Sequence, residues 1–591
     1  MTANDPAADN AQTANLRGAV FKGASMSGFR RFLVCLIVAL ALPGASSAAT
    51  TPVDLIIRNG WIYDGHGNAP VHGDLAVRDG RVIAVGTLKD YESQQELDAH
   101  GHAVAPGFIN VLSWAPDTLL EDGRGMSDLR QGVTLEIFGE GESYGPVNAR
   151  VREEMLKTQG DIRFDVTWHT LDEFLRTLVS RGVSPNVASF VGATTLREYV
   201  VGFDDRAATP AELRKMQSLV REAMRDGALG VGSSLIYAPA AYAQTDELIA
   251  LASAAGESGG AYISHLRSEG DRLLEALDEL IGIARAAHVH AEVYHLKAAG
   301  ENNWPKMQQA IDRIEAARAA GLDVSANMYT YTAGATGLDA AMPPWVQEGG
   351  LDAWIARLQQ PAIRERVIRE MRAPSGWESL YAAAGSPERI LLIGFRSERL
   401  KPLTGKSLAE VARLRGKSPE DTAIDLVIED HTRVSTAYFL MSEDNVTLGL
   451  SQPWVSLGSD AGAPAPAGIF LRSNPHPRAY GNFARFLGKY VREQKVTTLP
   501  DAIRRLTHLP ALNFKLKDRG CLDPGCHADV VIFDPAVIAD RATFETPHVY
   551  ATGVTDVFVN GVQVLKAGEH TGAMPGQVVR GPGWKSSGER P

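Results

Sequence analysis

The stretch Gly260–Gly300, "GAYISHLRSEGDRLLEALDELIGIARAAHVHAEVYHLKAAG", holds two short apolar runs, AYISHL and HAEVYHL, with a stretch of helical character between them. Each run closes around a histidine, His265 in the first and His295 in the second. Strand, helix and strand in succession is the repeating unit of a parallel sheet, so the fold depends on how often the chain repeats it. APGFINVL, GVTLEIFG, NVASFVG and ALGVGSSLIY come before this unit, and VSANMYTY and PWVSLGSD follow it. Eight such runs alternating with helices predict a (β/α)8 barrel of the TIM type, which takes about 250 residues and tolerates insertions.

Outside the barrel runs the pattern changes. "VDLIIRNGWIYDGHGNAPVHGDLAVRDGRVIAVG" alternates short β-branched runs with Asn-Gly, Asp-Gly and Gly turns, and similar chemistry returns in HADVVIFDP and VTDVFVNGVQVLKAG. These segments read as a small β-sandwich domain built from both chain ends. The interval from Met342 to Asp444 is too long for a plain βα connection, and PAIRERVIREMRA and SPEDTAIDLVIED have a helical pattern. It reads as a helical insertion over the barrel mouth, a candidate lid. The expected organisation is a leader over 1–49, the β-domain over 50–104 and 520–591, the barrel over 105–340 and 446–519, and the insertion over 341–445.

Composition narrows the partners. With 591 residues, 45% hydrophobic and 22% charged, the chain is globular in type, and a net charge of −11 with a pI near 5.8 argues against nucleic acid. Small-molecule substrates are expected. The opening residues differ from the rest: Arg30 and Arg31 precede an apolar stretch from Phe32 to Leu42, a Pro-Gly break and small residues suited to cleavage near Ala48 or Ala49. This predicts an export signal and a periplasmic or secreted protein, with no stable membrane span after cleavage. The stretch is shorter than the roughly 20 residues that a span needs, so an uncleaved anchor is the weaker alternative. Cys521 and Cys526 either form a local disulfide or are two unrelated thiols.

A barrel of this kind carries its chemistry at the C-terminal ends of its strands. There the chain places Glu140 after strand two, His265 and His295 at strands five and six, and Asp460 after strand eight. Each alone has a plain structural explanation. Two imidazoles and two carboxylates converging on one mouth are the ligand chemistry that zinc prefers. His288, His290 and His476 read as structural. LTGKSLAE contains Gly-Lys-Ser, but Leu400 stands where a phosphate loop needs its first glycine.

The segments LIIRNGWIYDG, APGFIN, GALGVGSSLIYAPAAYAQTDELIALA, ISHLRSEGDRLLEALDE, YHLKAAG, YTYTAG, LGSDAG and HPRAYGNFARFLGKYVRE together resemble the N-acyl-D-amino-acid deacylases (D-aminoacylases) of the amidohydrolase superfamily. The likeness runs from about Asp54 to Arg580. It implies a zinc-dependent barrel enzyme that hydrolyses the amide of N-acyl-D-amino acids. On this resemblance the two histidine ligands fall on His265 and His295 and the catalytic aspartate on Asp460. The substrate carboxylate falls to Lys297 with Tyr329, and Arg472 and Arg478 are further candidates for the same task.

Several positions depart from the family. Leu112 and Trp114 stand where its first strand carries His-x-His, and Gly141 stands at its cysteine ligand. Ala193, Asn327 and Ala335 replace a histidine, an aspartate and a serine. Neither leucine nor tryptophan binds zinc, so the expectation is one zinc per chain, with Glu140 replacing the thiolate and Glu142 as fallback. Trp114 is expected to cover the wall of the absent metal. The alternatives are a hydrolase of dipeptides or other amides ending in a D-residue, or an inactive binding protein on the same scaffold. A hydantoinase-type activity fits less well, because strand four lacks the metal-bridging lysine. Oligomeric state is not legible in the sequence.

Overall fold

The barrel strands are Phe108–Asn110, Val133–Phe138, Asn186–Ser189 continued by Val191–Gly192, Gly230–Ser234, Ala261–His265, Ala291–Val293, Val324–Met328 and Val455–Leu457, in a computed structural model that describes residues 50–585. Sequential neighbours pair in parallel from the first strand to the third and from Val191–Gly192 to the eighth. The eighth meets the first through a parallel bridge between Ser113 and Ala461, and the Val111 N–H donates to the Leu457 carbonyl at 3.4 Å. All eight predicted runs therefore contribute barrel strands. Val133–Phe138 and Ala261–His265 are buried throughout, because helices cover the outer face and side chains fill the inner one. Helix Leu273–Ala287, which joins strands five and six, buries Leu273, Ala276, Leu277, Leu280 and Ala284, the stripe a helix presents at spacings of three and four.

The two chain ends meet in a nine-stranded sheet. Strand Ala103–Pro106 runs antiparallel to Val530–Phe533, which joins the N-terminal hairpins to the C-terminal ones. Asp79-Gly80 and Asn560-Gly561 turn hairpins as expected, all four residues having positive φ. Asn59-Gly60 differs: it lies within the single strand Leu55–Ile62, where the register with Val71–Arg78 shifts. A Cβ on Gly60 would stand 2.5 Å from Val104, so close packing rather than a chain reversal calls for glycine there.

The insertion is less purely helical than expected. Helices Pro361–Arg372 and Pro419–Asp430 confirm the two quoted segments. The insertion's strands Ile390–Gly394 and Ser435–Phe439 form a three-stranded antiparallel sheet with Ala333–Gly337, which precedes the insertion. Cys521 and Cys526 form a disulfide. The leader, where an export signal is expected, lies outside the described residues. Among the described residues no helix is long and apolar enough to cross a membrane.

Candidate active site

Strand two ends at Phe138, and the chain turns through Gly139, Glu140 and Gly141. Both glycines have positive φ, and a Cβ would stand 2.5 Å from the Phe190 carbonyl at Gly139 and 2.6 Å from Ser234 at Gly141. Only a residue without a side chain fits on either side, and the resulting kink turns the Glu140 carboxylate inward. His265 is the last residue of strand five, and His295 follows strand six in a left-handed conformation (φ 36°). A non-glycine residue is held there at a cost that local bonds must offset. Asn327 supplies one of them, its Oδ1 accepting the His295 N–H at 2.9 Å.

These elements bring one ligand atom each from Glu140, His265 and His295 within 4.8 Å of one another, and all three residues are buried. Glu140 Oε1 lies 2.8 Å from His295 Nε2 and 3.2 Å from His265 Nδ1. Glu269 backs both rings from the other side, with Oε1 3.0 Å from His295 Nδ1 and Oε2 3.6 Å from His265 Nε2. The buried His265 Nε2 has no hydrogen-bond partner. Two imidazoles and one carboxylate facing a common point, with a second carboxylate behind the rings, fit a zinc-type cation and its outer partner. Burial would push Glu140 up, but the facing histidines outweigh it and hold the carboxylate far below its usual range. Burial and Lys297 push His295 down, yet Glu269 and Glu140 prevail and raise it to about 9.

Asp460 follows strand eight in a left-handed turn (φ 51°), its N–H donating to the Leu112 carbonyl at 2.9 Å. The Trp114 indole N–H is shared between Glu140 Oε2 at 2.9 Å and Asp460 Oδ1 at 3.1 Å. Arg478 pairs with Asp460 Oδ2 at 2.9 Å, and its buried Nε and Nη1 have no hydrogen-bond partner. Burial raises the Asp460 carboxyl above its usual range, against the pull of Arg478. Tyr329 lies between two cations, with Arg478 4.5 Å and Lys297 Nζ 5.6 Å from its ring centre. His476 Nδ1 accepts the Arg478 N–H at 3.0 Å, while its Nε2 faces the Ala333 carbonyl at 3.0 Å. Burial and the Arg478 charge keep His476 neutral.

Glu140, His265, His295, Lys297, Tyr329 and Asp460 are thus brought together. Lys297 contacts Glu269 at 2.5 Å and His295 Nδ1 at 2.7 Å. Arg472 is not part of the group: it pairs with Asp161 at 3.5 Å and with Glu398, whereas Arg478, the other candidate, enters the site. Glu142 is exposed and stands outside the ligand triad. Glu269 was missed in the sequence. Its one signal is the Ser-Glu-Gly turn directly after the strand-five histidine. Leu112 is buried in an apolar cluster with Ile109, Ile137 and Tyr294, where no ligand is offered.

Residues 158–565 match the family model described as "Amidohydrolase family". The D-aminoacylase of Alcaligenes xylosoxydans xylosoxydans is 33% identical over 538 residues, covering 90% of this chain and 99% of the relative. A solved N-acyl-D-glutamate deacylase from Bordetella bronchiseptica, complexed with zinc and a phosphonate inhibitor, superposes with a TM-score of 0.74 at 31% identity over 90% of this chain and all of the other. A solved D-aminoacylase, studied for the role of its binuclear metal centre, gives 0.73 at 30% identity with the same coverage. The chain belongs to the amidohydrolase family, on its D-aminoacylase branch.

Proposed function

We propose that this protein is a zinc hydrolase of N-acyl-D-amino acids that works with one metal, held by Glu140, His265 and His295. The observation that carries the reading is the convergence of those three ligands beside Asp460, bridged to it by one indole N–H. A divalent cation held there supplies Lewis-acid polarisation of the scissile carbonyl. Asp460 takes the proton of the attacking water and returns it to the departing amine, and its raised carboxyl pKa suits a group that must do both. Arg478 and Trp114 hold one carboxylate oxygen each, which fixes the direction of transfer.

Charge supports an anionic substrate. Glu140, Glu269 and Asp460 against Lys297 and Arg478 leave one net negative charge with neutral imidazoles, and a divalent cation turns this into one net positive charge. A monoanionic N-acyl amino acid balances it. The free donors of Arg478 and the Lys297 ammonium, both beside Tyr329, are the groups to hold its carboxylate. Leu112 and Trp114 remove the second set of ligands, which supports a single metal. The relatives' D-amino-acid specificity supports the handedness of the substrate. The Cys521–Cys526 disulfide fits the exported location expected from the leader.

Glu142 favours a second reading, in which the substrate is a dipeptide ending in a D-residue. It is exposed, within electrostatic reach of Glu140, Asp339 and Arg433, and offers a carboxylate to a free amine. The test is to assay the zinc-loaded protein against N-acetyl-D-amino acids, their L-enantiomers and D-terminal dipeptides, with metal analysis alongside. About one zinc per chain and turnover of the N-acetyl D-series supports the main reading. Turnover confined to dipeptides selects the second, and zinc-free protein without hydrolysis sinks both.

A further inference from the structure

Glu378 belongs to the insertion, just before helix Leu380–Ala384, and lies 109 residues along the chain from Glu269. Its Oε2 accepts three hydrogen bonds from a single turn after strand five: the Glu269 N–H at 2.6 Å, the Ser268 hydroxyl at 2.7 Å and the Gly270 N–H at 3.0 Å. Ser268 Oγ accepts the N–H groups of Gly270 and Arg272, each at 3.2 Å. On the far side the Ala299 N–H donates to the Glu269 carbonyl at 2.7 Å. Two successive N–H groups and a hydroxyl aimed at one carboxylate oxygen make a nest, and here the insertion supplies its acceptor. The backbone of Glu269 is gripped from both sides, and its carboxylate extends to both imidazoles and to Lys297.

We propose that Glu378 is a positioning residue for the metal site. By holding the Glu269 turn it sets the carboxylate that orients His265 and His295, so the insertion governs the metal affinity of the barrel. This rests on the reading of Glu140, His265 and His295 as metal ligands. A Glu378 that merely ties insertion to barrel would change stability alone.

The experiment compares the full chain with Glu378→Gln, which keeps the size and loses the charge, and with Ser268→Ala, which removes one bond of the same grip. Zinc affinity is measured by chelator competition on metal-stripped protein, with the melting midpoint of the metal-free form and kcat and KM measured in parallel. Glu378→Gln is expected to weaken zinc binding by about 3- to 10-fold, less than the roughly 10- to 100-fold that losing the direct outer partner Glu269 would cost, with a matching fall in kcat at subsaturating zinc and little change in KM. Ser268→Ala should give a smaller loss in the same direction. Zinc affinity within about twofold of wild type in Glu378→Gln overturns the proposal, whether or not the melting midpoint falls. Wild-type protein that binds no zinc overturns the ligand reading and this proposal together, before any variant is compared.

Discussion

Strand six carries a histidine near each end, and the two ends behave differently. At its start His290 lies 2.9 Å from Asp323, 3.6 Å from Glu292 and 3.1 Å from Ser325 Oγ. Glu292 is enclosed by neutral donors, Ser325 at 2.7 Å, Asn327 at 2.8 Å and Asn513 at 3.0 Å. At the far end His295 faces Glu140, Glu269 and Lys297, all ionisable. Both ends hold a buried imidazole beside carboxylates. What separates them is the kind of partner around the carboxylate: neutral amides and hydroxyls donate to it and close a network, whereas converging ionisable groups leave lone pairs for a cation. Asn327 joins the two ends, accepting from the His295 N–H and donating to Glu292.

The sharpest way to break this comparison is to exchange losses between the two ends. Glu140→Ala should abolish stoichiometric zinc and lower kcat/KM by about a thousandfold or more. Glu292→Gln should do the reverse, costing about 2–4 kcal/mol in denaturant unfolding because a new N–H2 faces donors, while zinc stoichiometry is kept. Zinc retained in Glu140→Ala would remove the distinction. Next in size, Asp460→Asn should retain its zinc and lose about a hundred- to ten-thousandfold in kcat, as removal of an acid–base group does. Near-wild-type turnover in that variant would exclude Asp460 as the proton carrier.

How much of this was legible follows the same division. The eight strands could be read because parallel barrel strands are continuous apolar runs, and His265, His295 and Asp460 because they stand at strand ends. Glu140 could be read from its flanking glycines. Glu269 and Glu378 could not: each acts through contacts made by a loop, and a Glu in a polar loop looks like any solvated one. Arg472 and Arg478 are six positions apart in one sequence segment, and only packing brings the second to Asp460 while the first goes to Asp161. Asn327 marked a departure from the family, but its double role needs both partners in view. An aspartate there would accept from His295 and set a second carboxylate against Glu292. Asn327→Asp should therefore cost about 2–3 kcal/mol in stability at neutral pH, less in acid, and a loss that ignores pH would contradict the argument.

The closed end makes a smaller prediction through pH. Burial alone would lower His290, but Asp323 and Glu292 outweigh it and raise it to about 9, against 6.5 in the unfolded chain. A group with a raised folded pKa contributes stability that is fully present below pH 6.5 and lost as pH rises through 9. Unfolding free energies of wild type and His290→Gln should therefore converge across that window by something on the order of 1–3 kcal/mol. Parallel curves would show that His290 holds no extra proton in the folded state.

The smallest expected effect tests the open end at the place where it departs most from its relatives. Trp114 is 38% exposed, so its ring is not core, yet its N–H is shared by Glu140 and Asp460. With Leu112 buried in apolar contacts, no second cation is offered a ligand on this wall, and one neutral donor stands between two carboxylates. Trp114→Phe keeps most of the aromatic surface and removes that donor. Glu140 keeps both histidines and Asp460 keeps Arg478, so neither carboxylate is stranded. The loss should be about one shared hydrogen bond to charged groups, roughly tenfold in kcat, with zinc affinity changed less. Trp114→His sharpens the point, since an imidazole restores an N–H and offers a ligand. If that variant binds a second zinc and gains activity, the indole is only a cover, and the single-metal arrangement is a consequence of missing ligands rather than a working design.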